Sequence, residues 1–192
     1  MILLIERRIV ILTPPKTASD SLHRALCSGY GGVMVVGDSM YPGNVDKHTT
    51  KIPNEASGFK VLATVRQPLD RLVSLYCHYA RTESEFYGRW SMAFWEFVNR
   101  VVRDRRVTGF PVDAMYCLTQ AQHLNGITTD GLLRCESLEA DLVTHGIDVR
   151  LTRENTSHRR PWRDYFDAGL LATVQPWAAP DCERFGYGEM AK

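Results

Sequence analysis

The sequence has almost no excess charge of either sign: 23 Lys and Arg stand against 22 Asp and Glu, a formal net charge of +1. So even a balance excludes a general nucleic-acid binder or a polybasic membrane binder, which need a broad cationic field. Any anion site must be local. Long apolar runs are also missing: no stretch approaches the roughly 20 residues that cross a bilayer, so no transmembrane segment is expected. The opening MILLIERRIVIL places its basic residues after the apolar stretch and has no small-residue cleavage site, which reads as a first strand and not a secretion signal. Cysteine is sparse and unpatterned. Cys27, Cys77, Cys117, Cys135 and Cys182 are odd in number and include no CxxC, which argues against a zinc ribbon or disulfide framework and for reduced thiols in a cytoplasmic protein. Hydrophobic residues at 44% and charged residues at 23% exclude a disordered chain. The length of 192 residues suits one domain over 1–192.

What is present is an alternation of strands and helices. Ile9-Val-Ile-Leu12 is a short apolar run stopped by Pro14-Pro15, the pattern of a buried parallel strand. Leu22, Ala25 and Leu26 then share one face of a helix over 19–27. Val33-Met-Val-Val36 reads as a second strand, and 37–58 is mostly loop. Phe59–Val65 is a third strand that runs through Arg66-Gln67 into a helix, with Pro68 suited to its first turn. Further helices are expected over 91–103 and 112–124, then a strand over Leu132–Cys135 and a helix capped by Ser137. One or two short helices follow near Trp162–Val174. This order implies an α/β fold with a mainly parallel sheet, in which ligands bind at the carboxyl ends of strands. Here those ends are Leu12 and Val65.

Both ends lead into segments suited to an anion. Thr13-Pro-Pro-Lys-Thr-Ala-Ser-Asp-Ser21 joins a strand to a helix, where unpaired N–H groups carry positive partial charge. Lys16 adds a full charge, and Thr17, Ser19 and Ser21 add hydroxyls. It contains no glycine, so it is not a GxxxxGK[ST] nucleotide loop. The alternative is an ordinary turn with Ser19 as N-cap. At the second end, Arg66 can fork onto an anionic oxygen, with Ser74 about two helical turns further on. The alternative there is pairing of Arg66 and Arg71 with Asp70 or other surface acids. Two such turns suit a ligand with phosphates at both ends.

PPKTASDSL resembles the 5′-phosphosulfate loop of sulfotransferases that use 3′-phosphoadenosine 5′-phosphosulfate (PAPS), and VRQPLDRLVSLYCHY resembles their 3′-phosphate motif. Order and spacing are most similar to the carbohydrate-type branch, which includes heparan 2-O-sulfotransferase-like and small bacterial or phage members. LLRCESLEADL, TRENTSHRRPWRDYFD and APDCERFGY extend the resemblance over nearly the whole chain. Three positions depart from the pattern: Ala18 stands where Gly is common, Asp20 where Ser or Thr is usual, and Gln67 where Asn is frequent. Asp20 matters most, because a carboxylate beside a phosphate cradle repels the ligand unless it points away or caps the helix.

The resemblance implies a P-loop-like three-layer α/β fold, with a mainly parallel central sheet flanked by helices. It implies transfer of the sulfuryl group of PAPS to an acceptor hydroxyl, favours a saccharide as acceptor, and implies no metal. Pro15, Lys16, Thr17, Ala18, Ser19, Asp20 and Ser21 would cradle the 5′ end, with Lys16 stabilising charge on the leaving oxygen. Arg66 and Ser74 would hold the 3′-phosphate, and Ser157 and Arg160 belong to a late segment that closes over the nucleotide. His48, in the loop before the third strand, is the expected general base, with Lys47 as an auxiliary donor. Rival readings are a P-loop-like nucleotide kinase or phosphotransferase, and a catalytically idle nucleotide-binding module. No nucleic-acid partner is expected, and oligomeric state stays open.

Overall fold

Apolar strands of two to six residues, each too short to be stable alone, gain their stability by pairing into one sheet. The computed structural model describes residues 1–34, 47–87, 90–107, 112–152 and 159–188. Its sheet is five-stranded, in the order β3-β1-β2-β4-β5. The strands are β1 (Ile2–Leu4), β2 (Ile9–Leu12), β3 (Val33–Met34), β4 (Lys60–Val65) and β5 (Gly131–Arg134). β2, β4 and β5 are parallel neighbours, whereas β1 is antiparallel to both β2 and β3. The α/β class and the mainly parallel strand direction are as the sequence implied.

The N-terminal twelve residues differ from expectation. They form a hairpin instead of one strand, with Ile2 opposite Ile11. The polar Glu6-Arg7-Arg8 interruption is the cause: Ile5–Arg7 make a 3₁₀ turn, and Arg8 adopts φ 54° to reverse the chain. Of the expected strand over 33–36, residues 35 and 36 lie outside the described residues.

The chain divides into two compact units, residues 1–66 with 124–156 and residues 67–123 with 157–192. The first is the sheet unit. It holds all five strands, α1 (Ser19–His23, continued by a π turn over Arg24–Ser28) and α6 (Leu138–Thr144). Leu22 and Leu26 of the first helix, Leu138 and Leu142 of α6, and Ile2, Ile9, Ile11, Leu62 and Leu133 of the sheet form its core. Each such side chain contributes about 1.5–3 kcal/mol by leaving water. Ser137 precedes α6 as expected, but its hydroxyl donates to the Asp141 carboxylate at 3.1 Å instead of capping the backbone.

The second unit is helical: α2 (Pro68–Tyr87), α3 (Phe94–Asn99, continued by a π turn over Arg100–Asp104), α4 (Val112–Cys117), α5 (Gln120–His123) and α7 (Ala168–Phe185). Leu69, Leu72, Val73, Tyr79, Phe97, Val101 and Trp177 fill its core. The helix expected over 112–124 is split between Cys117 and Gln120, where buried Asp181 accepts from the backbone N–H groups of Gln120 (3.0 Å) and Ala121 (2.6 Å) and starts a new helix. α7 is longer than expected because it runs through Pro176 and Pro180. Proline removes a helical hydrogen bond. Burial of Val174, Trp177, Ala178, Asp181 and Phe185 on one stripe outweighs that loss.

Candidate functional site

Because β2 and β4 are adjacent and parallel, with Leu12 opposite Ala63, their carboxyl ends meet at one edge of the sheet. The chain leaves β2 through Thr13–Ala18 into α1, and leaves β4 through Arg66. The two turns singled out from the sequence thus depart from neighbouring strands.

The first turn is strained. Lys16 has φ 68° and Ala18 φ 63°, both left-handed and neither a glycine. Each such residue costs about 1–2 kcal/mol, so the surroundings must hold the shape. Left-handed residues alternating along a short loop converge successive N–H groups into an anion-binding concavity. Ala18, not Ser19, is the residue before α1, and it makes no side-chain cap. Ser19 is the first helical residue and is buried. The ordinary turn with a serine cap is therefore not what is built.

Hydroxyls inside the sheet unit hold the loop. The Thr17 hydroxyl donates to the Pro14 carbonyl at 2.6 Å and lies 2.5 Å from the Thr64 hydroxyl. Thr17 has one proton to give, so Thr64 supplies the other hydrogen. The single Thr64 hydrogen is shared between the Thr17 hydroxyl and the Leu12 carbonyl, 3.3 Å away. Thr17 is fully buried and its hydroxyl is turned inward. Pro15 is buried, Lys16 and Ala18 are part-buried, and Ser21 is buried on α1.

Lys47 and His48 lie across the same loop. The Thr13 hydroxyl donates to the Lys47 carbonyl at 2.6 Å, and His48 Nδ1 is 2.7 Å from the Thr13 carbonyl. A carbonyl only accepts, so Nδ1 carries a proton and Nε2 is the basic nitrogen of neutral His48. His48 is buried. The Asp20 carboxylate, whose charge opposes an anion, is paired with the Lys47 ammonium.

The Arg66 guanidinium donates from Nη1 to the Lys16 carbonyl at 3.2 Å, which ties the end of β4 to the strained loop. Lys16, Asp20, His48 and Arg66 are thus assembled in the sheet unit. Ser74 is half-buried on α2, and Arg160 is exposed with its guanidinium 5.2 Å from the Tyr165 ring centre; both belong to the helical unit. There Asp70 accepts from Arg159 at 2.7 Å, while Arg71 is buried and donates to the Tyr116 carbonyl at 3.4 Å. In the same unit Phe97 is buried in the core and Trp95 is 62% exposed. Ser157 lies outside the described residues.

Two contributors are absent from the residues singled out by sequence. Thr64 is a hydroxyl in the otherwise apolar middle of KVLATV, a signal legible in hindsight. His23, on α1 three residues after Asp20, is buried with Nε2 making no hydrogen bond. Burial first, then the Met1 amino group and Lys47, push its pKa down from 6.5 to about 4, against a smaller upward pull from Asp20. Among the described residues no group of three or more His, Cys, Asp or Glu is placed to hold a metal ion, and no helix is long and apolar enough to cross a membrane. Comparison with protein-family models, curated proteins and solved structures finds no match to this chain.

Proposed function

We propose that the protein is a cytoplasmic PAPS-dependent sulfotransferase of P-loop-like fold, acting on an acceptor hydroxyl of which a saccharide is the favoured class. One observation carries the reading: Lys16 and Ala18 are both left-handed in a loop at a strand's carboxyl end, and an arginine from the adjacent strand end reaches that loop. A backbone curled this way, with Lys16 on it and Arg66 against it, fits a ligand bearing separate oxyanions. The cytoplasmic assignment rests on five free cysteines.

PAPS, when bound, supplies the sulfuryl group and a phosphate leaving group. Lys16 stabilises the negative charge that grows on the departing phosphate oxygen, as positive groups held in place do in phosphoryl transfer. The loop N–H groups receive the 5′-phosphate, and Arg66 selects for a 3′-phosphate. His48 Nε2 takes the acceptor's hydroxyl proton as that oxygen bonds to sulfur, and the Thr13 carbonyl keeps the ring in the required tautomer. Pairing with Lys47 offsets the repulsion that Asp20 would exert on the donor.

Titration calorimetry with 3′,5′-ADP, and with ATP plus Mg²⁺, tests the reading. A sulfotransferase binds 3′,5′-ADP more tightly, and sulfate then passes from labelled PAPS to a saccharide panel. Preference for ATP would favour the phosphotransferase rival; nucleotide binding without transfer would favour the idle module.

A further inference from the structure

Thr64 is the only hydroxyl-bearing residue of β4, and it is fully buried. A buried hydroxyl in an apolar strand is favourable only where its hydrogen bonds are made. Here it meets Thr17, the residue between the two left-handed positions of the loop, Lys16 (φ 68°) and Ala18 (φ 63°). The Thr17 hydroxyl gives its hydrogen to the Pro14 carbonyl at 2.6 Å, so it receives from Thr64 at 2.5 Å. Thr64 shares that hydrogen with the carbonyl of Leu12, the last residue of β2, at 3.3 Å. One hydroxyl on β4 thus fixes the spacing between the end of β2 and the middle of the curl. Two positions further on, Arg66 donates to the Lys16 carbonyl at 3.2 Å, so the carboxyl end of β4 braces two successive loop residues. All of these residues lie inside the sheet unit. The strain of a left-handed non-glycine residue and the worth of a buried hydrogen bond are of the same order. Loss of one brace is therefore enough to shift the loop toward a relaxed backbone.

We propose that Thr64 is a positioning residue of this loop: its hydroxyl presets the left-handed curl at Lys16 and Ala18, and through it the affinity for an oxyanion. Thr64 touches no ligand and acts through Thr17. A loop already curled loses little conformational freedom when the anion arrives. A relaxed loop must first recover the curl, so the apparent affinity falls with the fraction of molecules that are curled. The proposal rests on the oxyanion reading of the same loop, but not on the identity of the nucleotide.

The test is titration calorimetry of the full chain with inorganic pyrophosphate and, separately, with 3′,5′-ADP, alongside thermal melts. The proteins are the parent, Thr64→Val, Thr64→Ser, Ala18→Gly, and Thr64→Val combined with Ala18→Gly. Valine keeps the shape of threonine without the hydroxyl, whereas serine keeps the hydroxyl without the methyl. Thr64→Val is expected to weaken pyrophosphate binding about 10-fold, and Thr64→Ser by about threefold or less. Glycine adopts the left-handed backbone without strain, so Ala18→Gly should recover most of the loss in the valine variant and change the parent by about twofold at most. Should Thr64→Val fail to fold, Thr64→Cys, whose thiol is a weak donor, replaces it. A folded Thr64→Val that binds pyrophosphate within about twofold of the parent would overturn the role. So would valine and serine variants of equal affinity, affinities that follow melting temperature instead of the hydroxyl, or an Ala18→Gly gain no larger with valine at 64 than in the parent. If no protein binds either probe, the role and the oxyanion reading fall together. If the pyrophosphate pattern holds while 3′,5′-ADP does not bind the parent, the sulfotransferase reading falls and the role of Thr64 stands. If 3′,5′-ADP binds the parent and all variants alike, the role falls and the reading stands.

Discussion

The turns that follow β2 and β4 do the same topological job by opposite means. Each carries the chain from a parallel strand into a helix. After β4 the passage is relaxed: Pro68 occupies the first helical position, and the Gln67 side chain caps the Asp70 N–H at 2.7 Å. After β2 the passage is strained, with left-handed Lys16 and Ala18, no side-chain cap, and a buried hydroxyl pair beneath it. Local chemistry is enough for the second turn, which contributes the Arg66 side chain. The first turn is held by tertiary contacts because its own residues would not choose that backbone. Strain maintained at such cost points to a use for the shape.

Several experiments would break or sharpen this contrast. The largest effect should come from the chemistry assigned to the strained turn. Lys16→Ala and His48→Ala should each lower sulfate transfer from PAPS by about 100-fold or more, and near-normal turnover would remove those roles. Arg66→Ala, the relaxed turn's one contribution, should weaken 3′,5′-ADP binding by roughly 10- to 100-fold in calorimetry.

Next in size is acid sensitivity behind the strained turn. Folded His23 stays neutral down to about pH 4, whereas an unfolded imidazole takes a proton near 6.5. The unfolded state binds more protons between those values, so stability falls as pH drops through that window. Denaturant unfolding at pH 7.5 and 4.5 should show a loss on the order of 2 kcal/mol after solvent screening, and His23→Leu should remove most of it. Equal losses in both proteins would place the sensitivity elsewhere.

The smallest effects carry the comparison itself. Gln67→Ala should cost about 1 kcal/mol by deleting a cap. Ala18→Gly should stabilise by about 0.5–1 kcal/mol by relieving left-handed strain. Opposite signs in thermal or denaturant unfolding are expected. A destabilising Ala18→Gly would mean the loop is not strained as described.

Much of the fold was legible in short-range pattern. Ile9–Leu12, Lys60–Val65 and Gly131–Arg134 show themselves as apolar runs between breakers, and α2 by its periodicity and Pro68. The hairpin at the start was hidden because a three-residue strand carries no period of its own, and its existence depends on pairing with β2. The length of α7 was hidden by Pro176 and Pro180, whose local preference is overridden by burial along one stripe. At the site, Lys16, His48 and Arg66 could be singled out by residue type and position at strand ends. The Asp20–Lys47 pair and the buried His23 could not, since 27 positions separate Asp20 from Lys47 and nothing in either segment names the other.

By itself the sequence determined which segments could be strands and helices, where the chain must turn, and which side chains carry charge to the strand ends. Those properties follow from local sterics and from the spacing of apolar residues. Only the tertiary structure decided that Lys16 and Ala18 take left-handed backbone, that Thr17 faces Thr64, and that His48 gives its Nδ1 proton to Thr13. Each of those depends on a partner far along the chain, whose contact outweighs the preference of the residue itself.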